Sequence, residues 1–547
     1  MSERKASELF VECLEAEGVR YVFGIPGEET LDLNEALDAS DIEFVPVRHE
    51  QGGAYMADMY GRLTRRAGVC LGTLGPGATN LVTGVADAFL DRSPLVALTG
   101  QADLERMHKE SHQHIDVVNM LRPVTKFNAR LSSPRVIPEV VRKAFKVAQA
   151  QKPGPTHIEL PEDVMAGTVD AEPLPVRPGR RRPEPSAHEL LEAVEVIRGA
   201  ASPIVLAGNG VARTGAAPAL REFARATGIG VAETFMGKGG LDYRDPHALG
   251  TVGIQARDYA LAGFEDADVV ITVGYDLVEH APANWNARRD KRIVCIDTVS
   301  PEVDEHFITA VDLVGDLYHI LTRLAEELRD SPHAPGRSRL NEIVLGRFEA
   351  ASDHDAFPMQ PPRALWEIRQ VLGRHDILIS DVGMHKLWIA RMFPAHEPDT
   401  VFIANGLAGM GIALPTGIAA KLVRPERHVV TVSGDGGFLM NAQELETAMR
   451  LRTPVVNVIW ENGQYGSIVW KQDKKFGRHF GTDFANPDFV KLADAFGMPA
   501  WRCQGVEDLG RHLRHALGLD LPSLIVVPID YSLDVSISEE LGETVAA

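Results

Sequence analysis

Two apolar runs separated by a glycine-rich break constrain this chain more than anything else in it. Val429 to Val432 is a β-branched run that stops at Gly434-Asp435-Gly436-Gly437, and Val455 to Trp460, introduced by Pro454, stops at Glu461-Asn462-Gly463. Between them Leu439, Leu445 and Met449 are spaced for one helical face, with Asn441 placed as a cap. Strand, helix and strand of this length predict a right-handed parallel crossover. Asp435 and Asn462 then leave the carboxyl ends of neighbouring strands, where open α/β sheets bind ligands.

The chemistry of that pair is specific. A carboxylate and a side-chain amide offer hard oxygens, and the glycines let backbone approach a phosphate closely. Mg2+ keeps near-octahedral geometry and shares its shell with phosphates. Asp435, Asn462 and a loop carbonyl at Gln464 could hold one face of the ion, leaving the rest for a diphosphate and water. A lone Gly-Asp-Gly is more often an ordinary glycine turn. The amide at the end of the next strand favours the metal reading.

At 547 residues the chain is too long for one core and suits about three domains. Residues 1–165 alternate strand and helix patterns, which predicts a doubly wound parallel sheet. Ile42 to Glu50 reads as a strand ending on a carboxylate, with Gln51 starting a helix; Val69 to Thr73 and Leu95 to Thr99 read as strands, and Gly75 to Asn80 as a loop. Val164 to Ser186 reads as a linker. A second α/β unit spans 187–330, with strands Pro203 to Ala207, Val269 to Val273 and Ile293 to Ile296. Its Gly208-Asn209-Gly210 resembles half of a dinucleotide fingerprint, but Arg213 occupies the third glycine's position. Asp330 to Arg339 is loose, and a third unit spans 357–535. There Ile377 to Ser380 is a strand that runs into Asp381–His385, and Ile403-Ala404 runs into Asn405–Pro415.

Composition removes several classes. Lys plus Arg is 56 and Asp plus Glu is 76, a net charge of −20, which argues against nucleic-acid binding. The basic run Arg177 to Arg182 lies among prolines and reads as linker. No apolar run reaches the roughly 18 residues of a membrane span. Residues 1–18 read as an amphipathic helix rather than a signal peptide, so the cytosol is the expected location. Cys13, Cys70, Cys295 and Cys503 are far apart and read as reduced, mostly buried thiols. His108 and His112 stand four apart, but Lys109 occupies the position where a metalloprotease helix needs Glu.

Gly-Asp-Gly-Gly, the helical interval and the closing Glu461-Asn462 resemble the thiamine-diphosphate fingerprint, with Glu461 in place of the first Asn of its usual pair. The resemblance extends over nearly the whole chain, to the acetolactate synthase branch. It implies three doubly wound α/β domains: pyrimidine-binding at 1–165, central at 187–330 and diphosphate-binding at 357–535. It places Glu50 against N1′ of the cofactor's aminopyrimidine. Burial favours the protonated form of a carboxyl group, which can then share a proton with a ring nitrogen. The resemblance assigns Gly383, Met384, His385, Ala408, Gly409, Met410, Gly434, Asp435, Gly436, Gly437, Asn462, Gln464, Tyr465 and Gly466 to the cofactor. Of these, Asp435, Asn462 and Gln464 serve Mg2+, and Met410 is the apolar wedge beneath the bent cofactor. Gln113 matches a glutamine beside the substrate, and Gly27, His112 and Lys471 are further substrate-side candidates.

Biosynthetic acetolactate synthases and pyruvate oxidases bind FAD in the equivalent of the central domain, and the biosynthetic branch typically carries an Arg-Phe-Asp-Asp-Arg segment there. Here Tyr275 to His280 and Ala283 to Asn286 stand instead, as in the catabolic branch, so FAD is not expected. Lys471 takes the register of a Trp that favours 2-ketobutyrate, with Trp470 one residue out. A one-residue slip turns a helical side chain by about 100°, so strong 2-ketobutyrate preference is not expected. The implied activity joins two pyruvates to give 2-acetolactate and carbon dioxide. The implied assembly is a homodimer or homotetramer with active sites at the subunit interface. A sibling 2-keto acid decarboxylase or carboligase, a pyruvate oxidase, a non-catalytic scaffold and a dinucleotide oxidoreductase are the alternatives.

Overall fold

The computed structural model describes residues 4–176, 183–253, 258–333 and 339–533. The basic run Arg177 to Arg182 lies outside the described residues. The chain forms three six-stranded sheets in which every neighbouring pair is parallel. Helices make most of the crossovers that parallel pairing requires, and turns alone join Val231–Glu233 to Ala248–Thr251 and Arg292–Asp297 to Val311–Val314.

The first sheet contains Tyr21–Gly24, Glu43–Pro46, Gly68–Gly72, Leu95–Gln101, Phe127–Arg130 and Pro155–Pro161. Numbered along the chain, their spatial order is second-first-third-fourth-sixth-fifth. The third sheet repeats that order with Ile377–Ser380, Val401–Ile403, Val429–Gly434, Val455–Glu461, Ala500–Arg502 and Ser523–Pro528. The central sheet, from Pro203–Ala207 to Val311–Val314, runs third-second-first-fourth-fifth-sixth. Interior strands such as Val69 to Leu71, Val269 to Val273 and Val429 to Val432 are apolar and buried on both faces.

By packing, the described residues form two compact units. One contains the described residues of 1–180 with 406–426 and 439–453, and the other contains those of 181–405, 427–438 and 454–547. Four cysteines are free and buried, as expected. Among the described residues no helix is long and apolar enough to cross a membrane.

Several local expectations are corrected. The strand expected over Ile42 to Glu50 covers only Glu43–Pro46, and Glu50 opens the Glu50–Thr64 helix. The ladder ends because the Arg48 and His49 N–H groups donate to the Glu444 carboxylate, at 3.0 Å each, instead of to a strand. His49 then caps the helix through Nδ1, which accepts from Gln51 N–H at 3.1 Å. The Gly75–Asn80 loop is largely helical: Pro76, preset for a first helical position, starts the Pro76–Leu90 helix. The single helix expected after Gly437 is broken into Asp435–Phe438 and Glu444–Leu451. Asn441 does not cap it; its side-chain amide donates to the Gly411 carbonyl at 2.9 Å. The expected linker starts later than Val164, since Glu162–Ala166 is helical and Thr168–Val169 pairs with Arg4–Lys5.

Candidate functional site

In open parallel sheets, ligands bind outside the carboxyl ends of strands where the strand order reverses. In the first sheet that point lies between Tyr21–Gly24 and Gly68–Gly72. The expected residues gather there. Glu50 is 6% exposed, and its Oε2 accepts from the Asn80 amide at 2.9 Å. A Cβ on Gly77 would stand 3.2 Å from Glu50 Oε1 and 3.0 Å from Thr73 Cγ2; one on Gly27 would stand 2.3 Å from Thr73 Oγ1. Gly75 has φ +49, and a Cβ there would meet the Gln113 carbonyl oxygen at 2.4 Å. Gly27, Glu50, Gly77, Asn80 and Gln113 therefore share one end of the sheet. Gln113 itself has φ +55, a left-handed backbone that costs a non-glycine residue about 1 kcal/mol or more. The segment Met107–His114 forms turns rather than a helix, and His112 and Gln113 are exposed. Among the described residues no three or more of His, Cys, Asp and Glu are grouped so as to hold a metal ion.

The same unit contains the Gly406–Met410 loop. Gly406 N–H donates to Asp91 at 2.6 Å, and Gly409 N–H donates to Asp87 at 3.3 Å. Arg62 supports both carboxylates and Asp58, at 2.7 Å to Asp58, 3.4 Å to Asp87 and 2.8 Å to Asp91. Burial, then the adjacent Asp91, holds the Asp87 carboxyl well above the usual carboxylate range. With its glycines anchored, Ala408 is held at φ +58 and Met410 is half-buried.

In the third sheet the order reverses between Ile377–Ser380 and Val429–Gly434. Asp435 follows the second of these directly. Its Oδ2 accepts from Asn462 N–H at 2.9 Å, Gly463 N–H at 2.7 Å and the Asn486 amide at 2.8 Å; its Oδ1 accepts from Gly436 N–H at 2.9 Å. Four N–H donors thus fix one carboxylate. Phe484 N–H bonds to the Gly463 carbonyl at 3.0 Å and Tyr465 N–H to the Thr482 carbonyl at 2.9 Å, holding the backbone on both sides of Gln464. The Gln464 side-chain amide donates to Asp483 at 2.6 Å, and its main-chain oxygen, on backbone held from both sides, is of the hard kind that suits Mg2+.

Around Asp435 the glycines are crowded. A Cβ on Gly434 would lie 3.3 Å from His385 Cε1, one on Gly437 would lie 3.3 Å from Asp381, and one on Gly466 would lie 3.3 Å from Met384. On Gly436 it would lie 2.8 Å from the Tyr465 ring. Gly383–His385, Gly434–Gly437, Asn462, Tyr465 and Gly466 thus form one cluster. His385 is 1% exposed, and its Nε2 has no hydrogen-bond partner among the described residues. Burial pushes its ring down to about 3, against a bond to the Asp381 backbone. An anion placed against Nε2 would favour the charged ring, which donates from both nitrogens. An orphaned buried imidazole and closely packed glycines fit a diphosphate, and the hard oxygens of Asp435, Asn462 and Gln464 fit Mg2+. Lys471 is exposed on the Gly466–Phe476 helix, and Trp470 lies under Lys474.

Asn80, Asn486, Glu444, Asp87 and Asp91 were not singled out as site residues from the sequence. Asn80 closes the Gly75–Asn80 motif and could have been found there. The others act over long sequence separations that no local pattern reports.

Three family descriptions match this chain: the thiamine pyrophosphate enzyme N-terminal TPP binding domain at 4–120, the central domain at 190–324, and the C-terminal TPP binding domain at 381–527. The chain is 32% identical to an acetolactate synthase of Bacillus subtilis over 98% of its own length and 95% of the relative's. It is 35% identical to a probable acetolactate synthase large subunit of Methanocaldococcus jannaschii, over 96% of this chain and 92% of the relative. It is 34% identical to a catabolic acetolactate synthase of Raoultella terrigena, over 96% of this chain and 95% of the relative.

Proposed function

The chain belongs to the acetolactate synthase family of thiamine pyrophosphate enzymes, and from that premise we propose that it joins two molecules of pyruvate into 2-acetolactate with release of carbon dioxide. The observation that carries this reading is Asp435, a carboxylate immobilised by four N–H groups where the third sheet reverses its order.

Asp435, Asn462 and the Gln464 carbonyl would hold Mg2+. Gly383, Met384, His385, Gly434, Gly436, Gly437, Tyr465 and Gly466 would close around the diphosphate, with His385 donating from Nε2. The strained Ala408 backbone, Gly409 and Met410 would serve the aminopyrimidine end. When bound, thiamine diphosphate supplies a nucleophilic carbon and an electron sink for decarboxylation. Glu50 supplies the acid–base function at N1′. Asn80 occupies Oε2, so the proton that moves is assigned to Oε1. Gly27, Gln113, His112 and Lys471 are assigned to the substrate side. FAD takes no part in this reading. Four buried free thiols support a reducing, cytoplasmic location.

The test is pyruvate turnover with thiamine diphosphate and Mg2+ and no added FAD, recording the product and the protein's spectrum. Acetolactate, seen as acetoin after acid, from colourless protein is expected. Acetaldehyde, or no consumption of pyruvate, would refute the substrate assignment, and a yellow protein would refute the flavin-free reading.

The assembly proposed is a homodimer or homotetramer whose active sites combine Glu50 of one copy with Asp435 of another. Mixing inactive Glu50→Gln and Asp435→Ala subunits is expected to restore part of the activity. Copies that associate yet never complement one another would refute that arrangement.

A further inference from the structure

The third reversal of strand order lies in the central sheet, between Pro203–Ala207 and Val269–Val273. Third-second-first-fourth-fifth-sixth is the order of dinucleotide-binding domains, which seat a pyrophosphate on backbone N–H groups of the glycine turn after the first strand. That turn is Gly208-Asn209-Gly210 here, and its donors are taken. Asn209 N–H donates to both Glu279 carboxyl oxygens, at 3.1 and 3.0 Å. Gly210 N–H donates to the Gly274 carbonyl at 2.8 Å.

The space over the turn is filled as well. Glu279 is 5% exposed and also accepts from Asp276 N–H at 3.2 Å and from the Thr234 hydroxyl. A Cβ on Gly208 would stand 2.9 Å from Glu279 Oε1, and one on Gly210 would stand 2.4 Å from Gly274 Cα. The loop after Val269–Val273 therefore packs its backbone and one carboxyl group directly onto the turn. Arg213, in the third glycine's position, is 6% exposed and lies 3.8 Å from Asp276, with no hydrogen bond from its guanidinium among the described residues. It is a buried cation beside the cradle.

We propose that Glu279 is a built-in occupant of the central domain's nucleotide cradle and keeps that domain closed to flavin and adenine dinucleotides. The inference deepens the flavin-free part of the proposed function and rests on it. Burial, reinforced by Asp276, pushes the Glu279 carboxyl up to about 8. Near neutral pH it therefore fills the cradle mainly as an uncharged, hydrogen-bonded carboxyl group, and glutamine is a close replacement.

The test is calorimetric titration with ADP and with FAD of protein reconstituted with thiamine diphosphate and Mg2+. Wild type and Glu279→Gln are expected to show no saturable binding of either and no flavin absorbance after desalting. Glu279→Ala removes the acceptor from Asn209 N–H, and its unfolding temperature is expected to rise with ADP where that of wild type does not. Saturable ADP or FAD binding by wild type overturns the proposal, as does a folded Glu279→Ala that ignores ADP. If Glu279→Ala fails to fold, amide hydrogen exchange of wild type decides. Rates at Asn209 and Gly210 unchanged by ADP support the proposal, and ADP-dependent protection there sinks it. Flavin-free acetolactate formation, assayed on the same preparations, reports on the function separately from the cradle.

Discussion

Asn80 donates its side-chain amide to Glu50 Oε2 at 2.9 Å, tying the second turn of one helix to the first residue of another. The bond leaves one oxygen of a buried carboxyl group for proton transfer. Glu50→Gln keeps the shape and an oxygen for the Asn80 contact but removes the carboxyl oxygen that would exchange a proton. Its kcat is expected to fall by about 10²–10⁴-fold with an unchanged circular dichroism spectrum and melting temperature. Near-normal turnover would show that Glu50 is not the acid–base group.

Gly77→Ala separates packing from chemistry. The added Cβ would stand 3.0 Å from Thr73 Cγ2 and 3.2 Å from Glu50 Oε1, so both side chains must give by a few tenths of an ångström. Alanine suits a helix better than glycine, by up to about 1 kcal/mol. Stability is therefore expected to hold while kcat/KM for pyruvate drops about tenfold to a hundredfold. Steady-state kinetics beside a thermal melt reads both.

Asp435→Ala strands the N–H groups of Asn462 and Gly463 and the Asn486 amide. These donors are half-buried, so each costs less than the about 1–3 kcal/mol of a fully buried unsatisfied donor. Activity is expected to be lost at any Mg2+ concentration, with a lowered unfolding midpoint. In the wild-type protein, chelation with EDTA is expected to abolish turnover and added Mg2+ to restore it.

Arg62 is the cation among the buried carboxylates Asp58, Asp87 and Asp91. Arg62→Met leaves them uncompensated, and a loss of about 3–5 kcal/mol is expected in denaturant unfolding. Asp87 and Asp91 also hold Gly409 and Gly406, so the variant is expected to lose affinity for thiamine diphosphate.

Stability should carry the signature of Glu279, raised from its ordinary 4.5 to about 8 by burial. The folded chain keeps a proton that the unfolded chain releases, so this stabilisation is complete below about pH 4.5 and disappears as pH rises through about 8. Between those limits it amounts to about 1.4 kcal/mol per pH unit. Glu279→Gln cannot release that proton, so its stability should fall less steeply from pH 5 to pH 8 than that of wild type. Equal slopes in urea unfolding would count against the assignment.

Local composition determined the strands of this protein. Runs such as Val429 to Val432 and Val269 to Val273 are short, mostly apolar and β-branched, and end near glycines, which together favour a strand buried on both faces over a helix. Asp435 and Asn462 were legible for the same reason, since each lies directly at a strand's carboxyl end. Only the tertiary structure decided the order of the strands and what the loops hold. Glu50 lies on a helix because Glu444, 395 residues from His49, takes the N–H groups that would have extended the strand. Asn441 serves Gly411 rather than a helix end. The glycine turn at Gly208 looked like a weakened nucleotide motif, and Glu279 closes it from the loop after the neighbouring strand Val269–Val273. Hydrogen-bond partners brought together from distant segments leave no periodic trace in sequence, because each donor is satisfied by whichever acceptor the folded chain delivers.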